Sequence, residues 1–426
     1  MIIQNYKELA TNFRKKRALD ILEEGLQAAQ PEKFLKKIVK PNKIIIGKKS
    51  LKLSKFKNVY LVSFGKAADS MTATINSLLR IKRGIIVIPH GIKSQIKHKK
   101  FQIFNAGHPI PNKASLKAAK TILQFLHKRK KGEFVIFLVS GGGSSLLSLP
   151  SKITLNEKTQ VTKQLLKSGA TIHEFNCVRK HLSLIKGGMM IANLACDCIA
   201  LIMSDVGNND LSSISSGCTY YDKTTFKDAQ KVIKKYNLKK KVPKNVIKRL
   251  HEGSVGMINE TPKKSRIKNQ IIATNKDCLK EMVKKAKQLG YNPKIVNISG
   301  DVNAAAKKLV KLIPKEKNSC IIFGGETTVR VTGKGKGGRN QELVLRIFKN
   351  IQKTKQYLVI STLGTDGIDG NTKHAGAIIE NFSLSNNKIN NYLKQNDSNS
   401  FFKKYGGLIK TGPTHTNLMD IGIILN

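Results

Sequence analysis

Four apolar runs, each followed by a glycine-containing polar loop, constrain the fold of this 426-residue chain more than any other feature. The sequence contains VYLVSFGK from residue 59, VIFLVSGGG from 135, IIFGGET from 321 and LVISTLGTDG from 358. Short runs rich in Val, Ile, Leu and Phe and bounded by glycine are typical of buried strands in a parallel sheet. Ligands of such sheets bind beyond the carboxyl ends of the strands, where glycine lets backbone N–H groups approach an anion. The pattern therefore predicts an α/β enzyme that acts on small anionic ligands.

The domain organisation follows from length and from one interruption in the alternation of strands and helices. A chain of 426 residues exceeds one typical hydrophobic core, so we expect two domains. The interruption is the lysine-rich segment 222–268, which contains the helix breakers Pro243 and Pro262. We place the boundary there, giving domains at residues 1–240 and 241–426. The pattern also predicts one N-terminal helix over 5–30 and a separate strand over 327–332.

The formal net charge of +50 raises the question of a polyanion partner. Of the 77 basic residues only 11 are arginine, the lysines are scattered along the chain, and there is no Trp. Nucleic-acid recognition relies on the bidentate arginine fork and on aromatic stacking, so the composition favours a solvated surface without a specific nucleic-acid partner. A basic polyanion-binding protein stays open as an alternative.

The cysteines and the apolar runs predict the compartment. Six cysteines form no CxxC pair and no metal-ligand spacing with histidine, which favours free thiols in a reducing cytoplasm. No apolar run approaches the roughly 20 residues of a membrane span. The N-terminus lacks the apolar segment and cleavage site of a signal peptide. These observations predict a cytoplasmic protein with no membrane partner.

A triple-glycine loop follows the second apolar run and precedes a predicted helix. Three glycines exceed what a tight strand-to-helix turn needs, and the ending lacks the Lys-Ser/Thr of a Walker A loop. We predict phosphate binding by backbone and hydroxyl donors. Lys66, which follows the first run, is expected to lie over the same strand ends. The predicted phosphate-binding residues are Ser140, Gly141, Gly142, Gly143, Ser144 and Ser145.

Two of the scarce arginines occupy positions that suggest chemistry. Arg339 lies in the loop GKGKGGRN, at the start of a predicted helix and next to Asn340, and Arg179 lies in the segment NCVRK. A guanidinium in a glycine-rich loop suits the charge of a transferring phosphoryl group. The same loop has a formal GxGxxG spacing, but the acidic residue that binds a dinucleotide ribose is absent about 20 positions later, which disfavours NAD.

Four carboxylates end predicted strands, although the chain has only 27 acids. Asp366 and Asp369 lie in TDGIDG, Glu326 in GGETT and Asp205 in SDVG. An Asp-Gly turn would explain one such site, whereas four at one sheet edge favour Mg²⁺ ligands or a general base. A serine hydrolase is disfavoured because no GxSxG motif occurs. His108, in a proline-flanked loop, is interpreted as a structural or substrate-contact residue.

Taken together, these segments resemble the glycerate 2-kinase family, whose C-terminal part is called the MOFRL domain. The resemblance extends from near residue 5 to the C-terminus, and the order and combination of the motifs are highly specific. The segments that carry it are SFGKAA (63–68), AGHPIPN (106–112), VSGGGSSLL (139–147), SGATIHEFNCVRKHLSLIKGG (168–188), SDV (204–206), SSGCTYYDKTT (215–225), GGETTVRVTGKGKGGRNQE (324–342), GTDGIDG (364–370) and TGPTHTNLMD (411–420).

The resemblance implies a Rossmann-like three-layer α/β/α sandwich followed by a smaller α/β domain, around a cleft onto which the last residues of the chain could pack back. It further implies transfer of the γ-phosphoryl of ATP to the 2-hydroxyl of D-glycerate, assisted by Mg²⁺ or another divalent cation. Lys66 and Arg339 are the catalytic residues it implies, and we add Asp366. Glycerate and phosphate contacts are expected from Arg179, Asn340 and Glu326 beside the triple-glycine loop, and metal contacts from Asp205, Asp366 and Asp369.

One departure and one alternative accompany the resemblance. Family members usually carry a Gly-Asp pair where this chain has Asn208-Asn209, which puts a metal or nucleotide role of that loop in question. Some relatives are labelled hydroxypyruvate reductases, so a nicotinamide-dependent oxidoreductase is the alternative enzyme. The sequence does not fix the oligomeric state, and a homodimer is one possibility.

Overall fold

A computed structural model describes residues 1–426 and contains 15 strands and 15 α-helices. The strands are β1 Val39–Lys40, β2 Lys43–Ile46, β3 Lys49–Lys52, β4 Asn58–Phe64, β5 Arg83–Pro89, β6 Phe101–Ala106, β7 Glu133–Val139, β8 Asp197–Met203, β9 Lys268–Ala273, β10 Asn292–Asp301, β11 Ser319–Thr328, β12 Val359–Gly364, β13 Gly376–Glu380, β14 Leu408–Ile409 and β15 Asp420–Leu425. The helices are α1 Tyr6–Leu9, α2 Phe13–Ala28, α3 Pro31–Ile38, α4 Ala68–Leu78, α5 Lys113–His127, α6 Gly143–Leu146, α7 Leu155–Lys167, α8 Ile172–His181, α9 Phe226–Lys235, α10 Lys244–Ser254, α11 Asn275–Gln288, α12 Val302–Lys311, α13 Arg339–Asn350, α14 Asn386–Lys394 and α15 Ser398–Tyr405. None of these helices has the length and apolar character needed to cross a membrane.

Internal contacts divide the chain into two compact units. Residues 34–272 form a continuous unit, here called the inserted unit, and residues 1–33 with 273–426 form the second, here called the terminal unit. This division differs from the single predicted cut after residue 240. The N-terminal helix packs with the C-terminal part of the chain, and the lysine-rich segment up to residue 272 packs with the part before it. A local composition change does not report such long-range packing.

The inserted unit is built on a six-stranded sheet with the order β6-β5-β4-β7-β8-β9. The pairs from β6 through β8 are parallel, with Ser63 of β4 opposite Leu138 of β7 in the register. The apolar runs of β4 and β7 are almost wholly buried, as expected for central strands covered on both faces. All five parallel strands therefore end at one edge of the sheet, and the loops after β4, β7 and β8 meet there.

A helical subdomain completes the inserted unit. The helices α7 to α10 enclose an apolar cluster around Phe226, Val178 and Leu250, and Phe226 is held close to the backbone of Gly253 in α10. A Cβ atom at Gly253 would lie 2.2 Å from the Phe226 ring, so this position requires glycine for packing. The subdomain contains α7 and α8, which carry two of the three buried basic side chains described below, Lys158 and Arg179.

The terminal unit has a mixed six-stranded sheet with the order β10-β11-β15-β12-β13-β14. The last strand of the chain, β15, lies antiparallel between β11 and β12, so β11 and β12 run in the same direction and end at the same edge as the start of β15. Helix α2 packs on this sheet through Gly25, whose Cα approaches Ile421 and Met282. The N-terminal segment is thereby part of this core.

The predicted α/β class with two sheet-containing units is confirmed, and most predicted strands and helices appear within a few residues of their expected bounds. Three expectations were wrong. The single helix over 5–30 is divided, because Asn12 caps α2 by accepting a hydrogen bond from the Lys15 amide. The strand over 327–332 does not exist as a separate element, since β11 continues to Thr328 and then ends. The four strand-end carboxylates lie on two sheets, with Asp205 after β8 and the others in the terminal unit.

Candidate active site

In the inserted unit, backbone hydrogen bonds join the loops after β4 and β7 into one structure. The Lys66 amide donates to the Gly141 carbonyl at 2.8 Å, and the Ala67 amide donates to the Ser140 hydroxyl at 3.0 Å. A Cβ atom at Gly65, which has φ of 124°, would lie 2.1 Å from the Ser140 hydroxyl. The glycine before Lys66 is therefore required by the close approach of the two loops, and it fixes where Lys66 leaves the sheet.

The hydroxyls of the triple-glycine loop are largely engaged within the protein. Ser144 and Ser216 share a 2.6 Å hydrogen bond between their hydroxyls, and the Ser145 hydroxyl donates to the Gly142 carbonyl. The Ser215 hydroxyl donates to the Ser140 carbonyl at 3.1 Å. These contacts favour a loop in which the hydroxyls fix the backbone and the backbone N–H groups face a ligand.

Lys66, His108 and Asp205 gather around Gly142, whose φ of 85° is in the left-handed region. A Cβ atom there would lie 3.0 Å from the His108 ring and 3.4 Å from Cγ of Lys66. Burial raises the pKa of the Asp205 carboxyl, while the Lys66 ammonium and the backbone amides of Asp205 and Gly142 oppose that shift. Sequence reasoning did not place His108 at this loop; the Gly-His-Pro segment at a strand end was the signal for it.

Arg179, on α8, contacts the same loop at Ser144. Its guanidinium lies over the Phe175 ring at 4.7 Å, and Nη2 donates to the Ser144 carbonyl at 3.4 Å. Burial lowers its pKa to about 10. The structure thus brings Arg179 to this loop, and its contact with substrate stays a prediction.

The loop at Asn208-Asn209 has its own internal hydrogen bonds. Asn209 has φ of 55°, and the Asn208 side chain accepts from the Asp210 amide. The Asp210 carboxylate accepts from the Ser212 amide and from the hydroxyls of Ser212 and Ser213. Asp210 therefore holds this turn, and Asp205 is the carboxylate of the segment that faces the triple-glycine loop.

In the terminal unit, Arg339 is the centre of a group of carboxylates. It begins α13, and its Nε and Nη2 donate to the two carboxylate oxygens of Asp420 at 2.6 and 2.9 Å. Nη1 donates to Glu326 at the end of β11. Burial alone would lower the Arg339 pKa, but Asp420, Glu326 and Asp366 raise it above its usual value, so the guanidinium stays charged. Asp420 was missed by sequence reasoning, although it ends the TGPTHTNLMD segment.

Asp366 lies beside this pair. Its carboxylate accepts from the Ile368 amide at 3.2 Å. A Cβ atom at Gly364 would lie 2.9 Å from the Asp366 carboxylate and 3.4 Å from that of Asp420. The structure therefore brings Arg339, Glu326 and Asp366 together, as predicted residues of one site.

Asp369 and Asn340 have different surroundings. The two oxygens of Asp369 accept from the backbone amides and side-chain amides of Asn340 and Gln341 at the start of α13. Burial raises the Asp369 pKa to about 6, against the effect of the two backbone amides. Asn340 is 1% exposed and also accepts from the Thr362 hydroxyl. Both side chains hold the N-terminus of the helix that carries Arg339.

The carboxylates predicted to bind a divalent cation do not lie together in one unit. The predicted ligand Asp205 belongs to the inserted unit, and Asp366 and Asp369 belong to the terminal unit. No group of three or more His, Cys, Asp or Glu side chains could hold a metal by itself. Mg²⁺ that is bound through nucleotide phosphates needs only one or two protein carboxylates. Asp366 in the terminal unit and Asp205 in the inserted unit are the carboxylates that could each supply such a ligand.

The fold and these two clusters define an α/β enzyme that handles small phosphorylated or carboxylated molecules. Two family models match the chain. Residues 17–251 match a domain of unknown function, DUF4147, and residues 319–420 match the MOFRL family.

Full-length relatives refine the class. The chain is 35% identical to a glycerate 2-kinase of Pyrococcus horikoshii, over 96% of each chain, and 35% identical to a putative hydroxypyruvate reductase of Agrobacterium vitis, over 86% of each. A crystal structure of glycerate kinase from Thermotoga maritima superimposes with a TM-score of 0.80 at 33% identity, covering 96% of this chain and 98% of that one. The chain belongs to the glycerate 2-kinase family built from DUF4147 and MOFRL domains, as the resemblance implied.

Proposed function

We propose that this protein is an ATP-dependent kinase that phosphorylates the 2-hydroxyl of D-glycerate. The observation that carries the proposal is the pair of basic side chains at loops that match the family, Lys66 beside Gly142 and Arg339 beside Asp420. Phosphoryl transfer depends mainly on positioning and on electrostatic stabilisation, so two fixed cations at strand ends are the groups that the reaction needs.

The triple-glycine loop binds phosphate oxygens through the backbone amides of Gly141 and Gly143 in this proposal. Lys66 extends from the adjoining loop and neutralises charge on the transferred group. Asp205 accepts from the Gly142 amide and thereby positions the loop. The hydroxyls of Ser140, Ser144 and Ser145 act as internal supports, because each already takes part in a hydrogen bond to the protein.

Arg339 supplies the second cation, and its orientation is fixed by Asp420 on one side and Glu326 on the other. A planar guanidinium held by two hydrogen bonds to one carboxylate loses little freedom when a phosphoryl group approaches. Asp366 orients the 2-hydroxyl of glycerate and accepts its proton. Asn340 and Asp369 act through the helix N-terminus and do not contact substrate.

ATP and a divalent cation complete the proposal. Mg²⁺ bound to the nucleotide would be held by Asp366 or Asp205, and when bound it would neutralise phosphate charge. Asp369 is not included among the proposed ligands, because its oxygens already accept four hydrogen bonds. The six free cysteines favour a cytoplasmic location.

The test is ³¹P NMR of the purified protein incubated with Mg-ATP and D-glycerate. We expect a 2-phosphoglycerate resonance that grows in step with ADP. A 3-phosphoglycerate signal would retain the kinase and reject the proposed acceptor hydroxyl. No phosphoglycerate at all, with a folded protein, would reject the kinase.

A second candidate, hydroxypyruvate reduction, is favoured only by the label of the Agrobacterium relative. The ribose-binding acid is missing after the GxGxxG spacing of residues 333–338, and Gly335 and Gly337 instead pack closely against residues 395–398. The test is NADH or NADPH oxidation with hydroxypyruvate. We expect no oxidation above the rate without enzyme, and a rate that scales with protein concentration would favour the reductase.

A further inference from the structure

Three basic side chains of the inserted unit lie together in the interior, beside the triple-glycine loop. Lys158 of α7 is 4% exposed and Lys186, after α8, is 0% exposed. The Lys186 ammonium donates to the Ser144 carbonyl at 2.9 Å, the same oxygen that Arg179 approaches. The three charges are close enough to interact. Lys186 and Arg179 both lower the pKa of Lys158, and Arg179 lowers the pKa of Lys186.

No carboxylate compensates this group. The only acidic side chain that influences all three is the Cys218 thiol, and burial raises its pKa, so it is neutral at physiological pH. Lys180 offers a comparison within the same segment, since it is also 4% exposed but its ammonium lies 3.3 Å from the Asp222 carboxylate. Burial alone therefore does not explain why the three basic side chains lack a carboxylate partner.

Two nitrogen atoms of this group also lack hydrogen-bond acceptors. Lys158 Nζ and Arg179 Nε are buried and have no hydrogen-bond partner. A buried cation without a counter-charge is costly, and this is reflected in a lowered Lys158 pKa and in a Lys186 pKa of about 7, both caused mainly by burial. A small anion would supply the missing charge and the missing acceptors at once.

We propose that Lys158, Lys186 and Arg179 form a binding site for one small oxyanion. The Lys186 ammonium and the Arg179 guanidinium both reach the Ser144 carbonyl, and Lys158 Nζ and Arg179 Nε remain without acceptors. Ammonium groups and a planar guanidinium are suited to the oxygens of a carboxylate or a phosphate group. The anion is either the carboxylate of the acceptor substrate or a phosphate oxygen. The first assignment rests on the proposed function, whereas the existence of the site does not.

The experiment measures binding without turnover, by isothermal titration calorimetry of the full chain with D-glycerate and, separately, with inorganic phosphate. The variant is Lys158→Met, which keeps the length of the side chain and removes its charge. The control is Lys163→Met, on the same helix but exposed. Loss of one hydrogen bond to a charged group predicts about 10–100-fold weaker anion binding in Lys158→Met and unchanged binding in the control.

The ligand that loses affinity identifies the source of the oxyanion. Weaker D-glycerate binding alone assigns the site to the substrate carboxylate, and weaker phosphate binding alone assigns it to a phosphate group. Equal affinities in wild type and Lys158→Met for both ligands would overturn the proposal. These outcomes do not depend on kinase activity, so a failed kinase assay would leave the binding result interpretable.

Thermal unfolding of wild type and Lys158→Met separates an anion site from a structural lysine, and the wild-type measurement tests the site by itself. D-glycerate or phosphate should raise the wild-type Tm above that in NaCl of equal ionic strength. Lys158→Met should lose this increase and have an anion-free Tm no lower than that of wild type, because an uncompensated buried charge has been removed. Absence of any anion-specific increase in the wild type would reject the site, even if the variant failed to fold.

Discussion

Lys66 shows how a single residue is positioned by its neighbours. Its backbone amide is bonded to Gly141, and its side chain passes Gly142, so its ammonium group extends from a rigid junction of two loops. We expect Lys66→Ala to lower kcat by at least ~10²-fold, the scale of losing one preorganised electrostatic group. Steady-state kinetics with D-glycerate would measure this, with Lys82→Ala, an exposed lysine of the same unit, as the control. Normal turnover in a folded Lys66→Ala protein would remove Lys66 from the mechanism.

The ionisation of Lys186 makes the free energy of unfolding depend on pH. Burial lowers its pKa from 10.5 to about 7, with Arg179 and Lys180 adding to the shift and Cys218 opposing it. Between pH 7 and 10.5 the unfolded chain therefore binds more protons at this residue than the folded chain does, so its contribution to folding becomes more favourable as pH rises.

Replacing Lys186 by Met should remove that part of the pH dependence. Without bound anion, the free energy of unfolding of wild type should rise from pH 7 to pH 9 relative to Lys186→Met, by up to about 1.4 kcal/mol per pH unit. Urea unfolding at both pH values would measure the difference, with Lys163→Met as the control. A constant difference between wild type and Lys186→Met would show that Lys186 ionises as an exposed lysine does.

Asp369 holds the N-terminus of helix α13 and thereby positions Arg339, the first residue of that helix. Its carboxylate receives two backbone amides and two side-chain amides in the interior. Asp369→Ala leaves these buried donors without acceptors and should lower the free energy of unfolding by about 2–4 kcal/mol. Urea unfolding would test this against Asp228→Ala, which removes the partly exposed capping carboxylate of α9 and should cost about 1 kcal/mol. Equal costs would show that burial adds nothing to the Asp369 cap.

Elements that are determined locally could be predicted, and those that depend on distant pairing could not. The strands β4 and β7 were predicted because both faces are buried and the sequence is continuously apolar. The position of β15 between β11 and β12 joins it to segments about 100 and about 60 residues away, and no local pattern encodes these pairings. For the same reason Asp420 was missed as the partner of Arg339. Lys158 was missed because, in a chain with so many lysines, its burial depends on how α7 packs on its neighbours.

At the scale of the whole molecule, the two units divide the proposed chemistry between them. The inserted unit contributes the triple-glycine loop, Lys66 and the buried basic group, and the terminal unit contributes Arg339 with its carboxylates. Each cluster lies where strands of its own sheet end, as the pattern of apolar runs and glycine loops predicted. Neither cluster alone contains all the groups proposed for phosphoryl transfer.

The net charge of +50 is also a property of the whole molecule, and it permits a test of the polyanion alternative. Scattered lysines bind nucleic acid through counterion release and contribute no base recognition. We therefore expect duplex DNA to bind at low salt and the affinity to fall at least ~10³-fold between 50 and 200 mM NaCl. Fluorescence anisotropy with two duplexes of unrelated sequence would measure affinity and discrimination together. Binding that persists at 200 mM NaCl, or that prefers one duplex by more than about tenfold, would contradict a solvated surface charge and indicate a second, specific partner.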